Sequence, residues 1–247
     1  MRYSLPLPDG GSGMTAAQYG QGGSVHVVAV VAAAGRGARL GAGTAKALVE
    51  VCGMSLLRRC VDGLTSSGVV DLVVVVAPAG LLGVARSALP PEVHVVSGGV
   101  ERSDSVRAGV AEARRVAPEA AHLLIHDAAR ALTPGELIRS VVAALRAGAL
   151  AVVPVLPVTD TIKSVDADGV VTSTPDRDSL RTVQTPQGFA ADVLHSAYDG
   201  QLVATDDSGL VERSGVAVHT VPGHPLAFKI TTATDLALAE SLLRAGS

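Results

Sequence analysis

From Val25 onward the sequence alternates between short apolar runs rich in Val and longer segments whose apolar residues recur at helical spacing. The runs Val25–Ala33, Asp71–Val76, Val93–Val96, Ala121–Ile125 and Leu150–Pro154 are nearly continuous in apolar residues. Parallel strands covered on both faces have that pattern, whereas a half-exposed strand would alternate. Between the runs, Ser55–Ser66, Ala79–Leu89, Ser103–Val116 and Pro134–Ala147 read as helices. Ser103 with Asp104 supplies one start signal, and Thr133 ahead of Pro134 supplies another. Repeated strand–helix–strand units imply right-handed crossovers. The fold expected is therefore α/β: a doubly wound, mostly parallel, Rossmann-like sheet.

Past Pro154 the rhythm changes. Residues at about 158–185 are polar and β-type, with a turn signal at Asp166-Ala-Asp-Gly169. They read as a protruding β-arm, whose edges would need a partner, so it is expected to be used in dimerisation. Helices are expected again at Ala190–Tyr198, Asp206–Ser214 and Ala233–Arg244, and strands at Val216–Val221 and Ala227–Ile230. Residues 1–23 read as a flexible Gly-rich tail and residues 24–247 as a single domain.

Composition removes several functions. Hydrophobic residues are 48% and charged residues 17% of the 247, enough for a sizeable core. Lys plus Arg is 20 against 23 Asp plus Glu, so no basic excess exists to grip a nucleic-acid backbone. Aromatics are 2%, with no Trp, which disfavours base-stacking platforms. No apolar run is long enough to span a bilayer, and no signal-peptide pattern opens the chain. Cys52 and Cys60 fit neither a redox pair nor a zinc knuckle. They read as two buried thiols in a reducing, cytoplasmic setting.

In open α/β sheets, ligands sit at the carboxyl ends of the strands. The first such loop, Ala32-Ala-Ala-Gly-Arg-Gly-Ala-Arg-Leu-Gly41, is followed by Lys46. Leu40 breaks a dinucleotide fingerprint, and no Gly-Lys-Ser/Thr follows to make a Walker A loop. Gly35 and Gly37 permit close backbone approach, and Arg36, Arg39 and Lys46 add charge suited to a triphosphate. A second loop, Gly98-Gly-Val-Glu-Arg-Ser-Asp-Ser105, leads into a helix and could meet a ribose or phosphate. The third is His126-Asp-Ala-Ala-Arg130, where Asp127 at a strand end is placed to hold Mg²⁺. His122 and His126 lie four apart on a strand, roughly 13 Å, too far to share a metal, and read as structural. The polar features Asp160-Thr-Ile-Lys163, Asp176-Arg177, Thr185-Pro-Gln187, Thr205-Asp-Asp-Ser208 and Lys229 each read, taken alone, as solvated surface.

The ordered set of motifs resembles the 2-C-methyl-D-erythritol 4-phosphate cytidylyltransferases of the non-mevalonate isoprenoid pathway. The likeness runs from about Val25 to the last helix and implies a single nucleotidyltransferase domain. It implies transfer of a cytidylyl group from CTP to methylerythritol phosphate, with Mg²⁺ as cofactor and pyrophosphate as the second product. By this resemblance Arg39, Lys46, Arg177 and Lys229 are catalytic. Ala33, Ala34, Gly35, Gly99, Arg102, Ser105 and Ala128 meet the nucleotide. Arg130, Thr161, Arg177, Thr185 and Lys229 meet the sugar phosphate, and Asp127 meets the metal. It further implies a homodimer with exchanged arms, so that Arg177 and Thr185 serve the partner's site. Two positions depart from the family pattern. Ala131 stands where Pro is common, and Ala227-Phe228 stands where Asn-Ile often precedes the lysine. A cytidylyltransferase for another polyol phosphate, such as ribitol 5-phosphate, and a non-catalytic nucleotide sensor are the rival readings. Thr161, Arg177 and Thr185 disfavour the first, and the cations with Asp127 disfavour the second.

Overall fold

The computed structural model describes residues 26–35, 45–200 and 206–246. Its centre is an eight-stranded mixed sheet. Strands β1 (Val27–Ala32), β4 (Leu72–Ala77), β5 (His94–Ser97) and β6 (His122–Asp127) form a parallel half in the order β6-β1-β4-β5. Two short strands, β2 (Glu50–Val51) and β3 (Met54–Ser55), pair separately from this sheet.

The Val-rich strands are buried on both faces, and successive side chains still go to opposite sides. Val27, Ala29 and Val31 join the layer of α1 (Leu56–Ser66) and α4 (Gly135–Arg146), whereas Val28 and Val30 join that of α3 (Arg102–Val116). This double coverage explains the continuous apolar runs. A short helix, α2 (Leu82–Ser87), precedes β5. Gly109 of α3 permits a close helix–sheet approach: a Cβ there would lie 2.4 Å from Val30 Cγ1.

The other half of the sheet is mixed. β7 (Ala151–Pro157) pairs antiparallel with β10 (Arg181–Val183) and β11 (Gln187–Ala190), and parallel with β12 (His219–Pro222). β11 inserts antiparallel between β6 and β7. Between β7 and β10 the chain leaves the sheet, forming the small ladder of β8 (Ser164–Val165) and β9 (Val171–Ser173) and a 3-10 turn at Arg177–Ser179. Helices α5 (Ala191–Asp199) and α6 (Asp207–Arg213) cover the α3 side, and α7 (Ala233–Ala245) ends the fold.

Several expectations need correction. The span expected as an arm to residue 185 leaves the sheet only to about 180, since β10 belongs to the main sheet. β11 escapes a pattern search because it is short and contains Gly188. A Cβ at that glycine would lie 2.6 Å from Val141 Cγ1, so α4 needs the missing side chain. Residues 227–230 are no strand: a 3-10 turn spans Pro225–Ala227. Thr133 does not cap α4, because its hydroxyl donates backward to the Arg130 carbonyl at 2.8 Å. α3 is capped by Glu101 in a capping box with Asp104, rather than opened at Ser103. Cys52 is exposed, and only Cys60 is buried. Among the described residues no helix is long and apolar enough to cross a membrane. The tail expected at 1–23 lies outside the described residues.

Candidate active site

Strand register places the candidate loops along one edge. Ala32 pairs with Asp127 on one side and Val76 on the other, and Ala77 pairs with Ser97. The loops after β1, β5 and β6 therefore open at the same end of the sheet, as ligand loops of parallel sheets do. The first two pack together at Gly98, where a Cβ would lie 2.8 Å from Ala34 Cβ and 2.7 Å from Ser105 Oγ. Gly99 is equally constrained, since a Cβ there would lie 2.4 Å from Asp104 Cβ. The Ala33 amide donates to Val76 O at 2.9 Å and the Ala128 amide to Ala32 O at 3.2 Å, so neither amide is left for an anion. Ser105 is buried and its hydroxyl donates to Glu101 O at 3.1 Å. Gly35 is exposed at the end of the first described segment. Arg36 and Arg39 lie outside the described residues. Lys46 opens a 3-10 turn, Lys46–Leu48, where the chain is described again.

Asp127 is the centre of the site. It is 7% exposed, and its carboxylate accepts from Lys229 Nζ at 2.8 Å and from Arg102 Nη2 at 3.4 Å. Burial pushes its carboxyl up, but the charges of Arg102 and Lys229 outweigh burial and bring it down to about 2. The carboxylate is thus ionised at any working pH. Its backbone amide donates to Thr185 Oγ1 at 3.1 Å, and His126 Nδ1 lies 2.8 Å from the same hydroxyl. His126 is buried, and burial lowers its pKa to about 4, so the ring is neutral and structural.

Two loops bring Lys229 and Thr185 here. Gln184 donates from Nε2 to His224 O at 3.0 Å and accepts from His224 N at 2.9 Å, tying the β10–β11 corner to the loop after β12. Ile230 N then donates to Ala129 O at 2.9 Å, which sets Lys229 beside the loop after β6. Arg130 donates from Nη1 to Ala227 O at 2.6 Å and from Nη2 to Val183 O at 3.2 Å, while its Nε is buried without a hydrogen-bond partner. The departure at Ala227 therefore leaves this contact intact, because the backbone makes it. Arg130 is held by two carbonyls although Ala131 replaces the expected Pro.

A family model described as IspD, 2-C-methyl-D-erythritol 4-phosphate cytidylyltransferase, matches residues 27–245. The chain belongs to this family. A 2-C-methyl-D-erythritol 4-phosphate cytidylyltransferase of Nocardia farcinica is 61% identical over 219 residues, covering 88% of this chain and 94% of the relative. One from Saccharopolyspora erythraea is 61% identical over 223 residues, covering 89% of this chain and 100% of the relative. Among solved structures, the cytidylyltransferase of Thermus thermophilus superposes with a TM-score of 0.70 at 34% identity, covering 90% of this chain and 99% of that one. A 4-diphosphocytidyl-2C-methyl-D-erythritol synthase of Anaerococcus prevotii gives 0.76 at 27% identity, covering 89% and 99%.

The structure unites Arg102, Asp127, Arg130, Thr185 and Lys229. It does not join Thr161 or Arg177 to them within one chain: both are exposed, and Arg177 Nη1 donates to Thr159 O at 3.0 Å. Sequence reasoning missed two buried residues near this cluster. Asp207, taken as solvated surface, is 1% exposed, and its carboxylate accepts from Arg102 Nη2 at 2.8 Å and from the Tyr198 hydroxyl. Its neighbour Ser208 is buried too. The burial of Asp207 carries no local sequence signal, because its partners Arg102 and Tyr198 come from other elements.

Proposed function

We propose that this enzyme transfers the cytidylyl group of CTP to 2-C-methyl-D-erythritol 4-phosphate, giving CDP-methylerythritol and pyrophosphate for non-mevalonate isoprenoid precursor synthesis. The observation that carries this reading is the Asp127 cluster: a buried, ionised carboxylate held between Lys229 and Arg102, with Thr185 and Arg130 beside it, in a chain of this family.

An oxygen of the substrate phosphate attacks the α-phosphorus of CTP. That phosphorus–oxygen bond forms as the bond to the pyrophosphate leaving group breaks. The nucleophile is already anionic, so no general base is needed. The demand is for positioning and charge stabilisation. Lys229 and Arg130 bring positive charge to the acceptor phosphate, Arg102 to the nucleotide, and Lys46 with Arg39 to the triphosphate.

Mg²⁺ fits Asp127. The ion commonly takes one or two protein carboxylates and completes its shell with phosphate oxygens and water. Asp127 supplies one ionised carboxylate, and among the described residues no group of three or more His, Cys, Asp or Glu stands together. The ion, when bound, would neutralise phosphate charge.

On this proposal the protein is a cytoplasmic homodimer in which Arg177 reaches the site of a second copy; Thr185, expected to do the same, is instead held in its own chain's cluster by the Asp127 amide and His126. Supporting the dimer, Ile162, Val165, Val170 and Val171 are exposed in the same excursion as Arg177, apolar surface suited to burial by a partner.

The test is pyrophosphate release with Mg²⁺, presenting CTP, UTP, ATP and GTP against methylerythritol phosphate and ribitol 5-phosphate. Release with CTP and methylerythritol phosphate is the expected result. Release with ribitol 5-phosphate alone would overturn the acceptor assignment. Absence of release with every pair would favour a nucleotide sensor.

A further inference from the structure

Arg102 stands between two carboxylates, and the two contacts are unequal. Its Nη2 lies 2.8 Å from Asp207 Oδ2 and 3.4 Å from Asp127 Oδ1. The Asp207 side chain is 1% exposed and that of Asp127 10%, while that of Arg102 is 36% exposed. Asp127 has a second cation, Lys229, whereas among the described residues Asp207 has an ion pair only with Arg102.

Asp207 is itself held from behind. Its Oδ1 accepts from the Tyr198 hydroxyl. Burial and the Asp207 charge both raise the Tyr198 pKa, so the phenol keeps its proton and donates. The Tyr198 ring lies beneath Arg107, whose Cζ is 5.7 Å from the ring centroid, and Arg107 Nε also donates to Tyr198 O at 3.4 Å. The backbone around Asp207 is fixed separately. Gln187 of β11 donates to Asp206 Oδ2 at 2.9 Å and accepts from Ser208 N at 3.0 Å. A buried carboxylate with one dedicated donor and one dedicated cation is costly to bury unless both partners stay in place.

We propose that Asp207, oriented by Tyr198, is the positioning residue that anchors Arg102 for the nucleotide and keeps it from collapsing onto Asp127. This rests on the reading of Arg102 as a nucleotide contact. Without Asp207, the guanidinium has one carboxylate left, Asp127, the group assigned to Mg²⁺. With Asp207, Arg102 keeps its orientation while Asp127 is free to change partners. The role is indirect, since Asp207 lies behind Arg102 and touches no reacting atom.

The experiment compares wild type with Asp207→Asn, Tyr198→Phe, Arg102→Ala and the double variant Arg102→Ala/Asp207→Asn, in pyrophosphate release and in thermal melts. Asp207→Asn is expected to raise KM for CTP roughly tenfold, the scale of losing a charge-assisted hydrogen bond, with a smaller change in kcat. Tyr198→Phe, which removes one oxygen and preserves shape, should raise it about threefold. In the Arg102→Ala background, Asp207→Asn should add less than about twofold, because its effect runs through Arg102. A merely structural Asp207 would lower the melting temperature and leave KM for CTP of the folded protein unmoved. That result, or full additivity in the double variant, would overturn the inference. Should Asp207→Asn fail to fold, Tyr198→Phe decides, and an unchanged KM for CTP in that folded variant would overturn it. An inactive wild type would instead overturn the functional reading and the inference with it. An active wild type with unmoved variants overturns the inference alone.

Discussion

Asp127 and Arg177 are assigned to one reaction, yet they occupy opposite kinds of surroundings. Asp127 is 7% exposed at the end of a central strand, held by Lys229 and Arg102, with its amide on Thr185. Arg177 stands exposed in an excursion that leaves the sheet after β7, and its hydrogen bond goes to a carbonyl of the same excursion. The first region is organised within one chain by contacts from β6, α3, the β10–β11 corner and the loop after β12. The second has little to fix it there. Charge stabilisation works best from groups already in place. The Asp127 cluster is thus assembled within one chain, whereas Arg177 would take its working position only in the proposed dimer.

The largest expected effect comes from breaking the organised region. Lys229→Ala removes the nearer cation from Asp127 and should cut kcat by roughly 10²-fold or more, with Lys46→Ala on a similar scale. Steady-state pyrophosphate release measures it, and near-normal turnover of either variant would remove that lysine from the chemistry.

The next effect sharpens the contrast. Arg177→Ala alone should also be poorly active. Mixed with Lys46→Ala under subunit exchange, it should recover about a quarter of wild-type activity, because half the dimers are mixed and each holds one composite site without either lesion. If mixing restores nothing although exchange is verified by native mass spectrometry, Arg177 works in its own chain.

The smallest effect tests a carboxylate that is organised but outside the Asp127 cluster. Asp235 accepts from the amides of Thr231 and Thr232, each at 2.8 Å, in the capping box of α7. Burial pushes its carboxyl up, but these bonds outweigh it and bring it down to about 2. That lies below the unfolded value near 4, so the stabilisation is full above about pH 4 and fades as pH falls towards 2. Asp235→Asn should cost about 1 kcal/mol at neutral pH and leave kcat unchanged. Denaturant melts from pH 7 downward should show the two proteins converging at the acid end. A lowered kcat at full folding would show that α7 reaches the site.

The same contrast explains what could be read from the sequence. The parallel half was legible because strands buried on both faces must be apolar throughout, and β1, β4, β5 and β6 lie within the expected runs or within two residues of them. Asp127 stood out at the end of its strand, whereas Arg130 and Lys229 entered only through the family resemblance, Lys229 alone reading as solvated surface. β11 was not, since a four-residue strand with a glycine under α4 carries no period. Asp207 was not legible either. Its partners Arg102 and Tyr198 are recruited from α3 and α5 by folding, and a carboxylate's burial depends on where those partners land. Thr133 misled for a local reason: its hydroxyl found the Arg130 carbonyl before it could serve the helix.

The most direct test of the account is phosphorus NMR of the reaction mixture with CTP, methylerythritol phosphate and Mg²⁺, run beside Lys229→Ala. The expected result is one inorganic pyrophosphate for each new diphosphate carrying cytidine and methylerythritol, with the variant far slower at full folding. Orthophosphate release, no diphosphate product, or a Lys229→Ala variant as fast as wild type would contradict it.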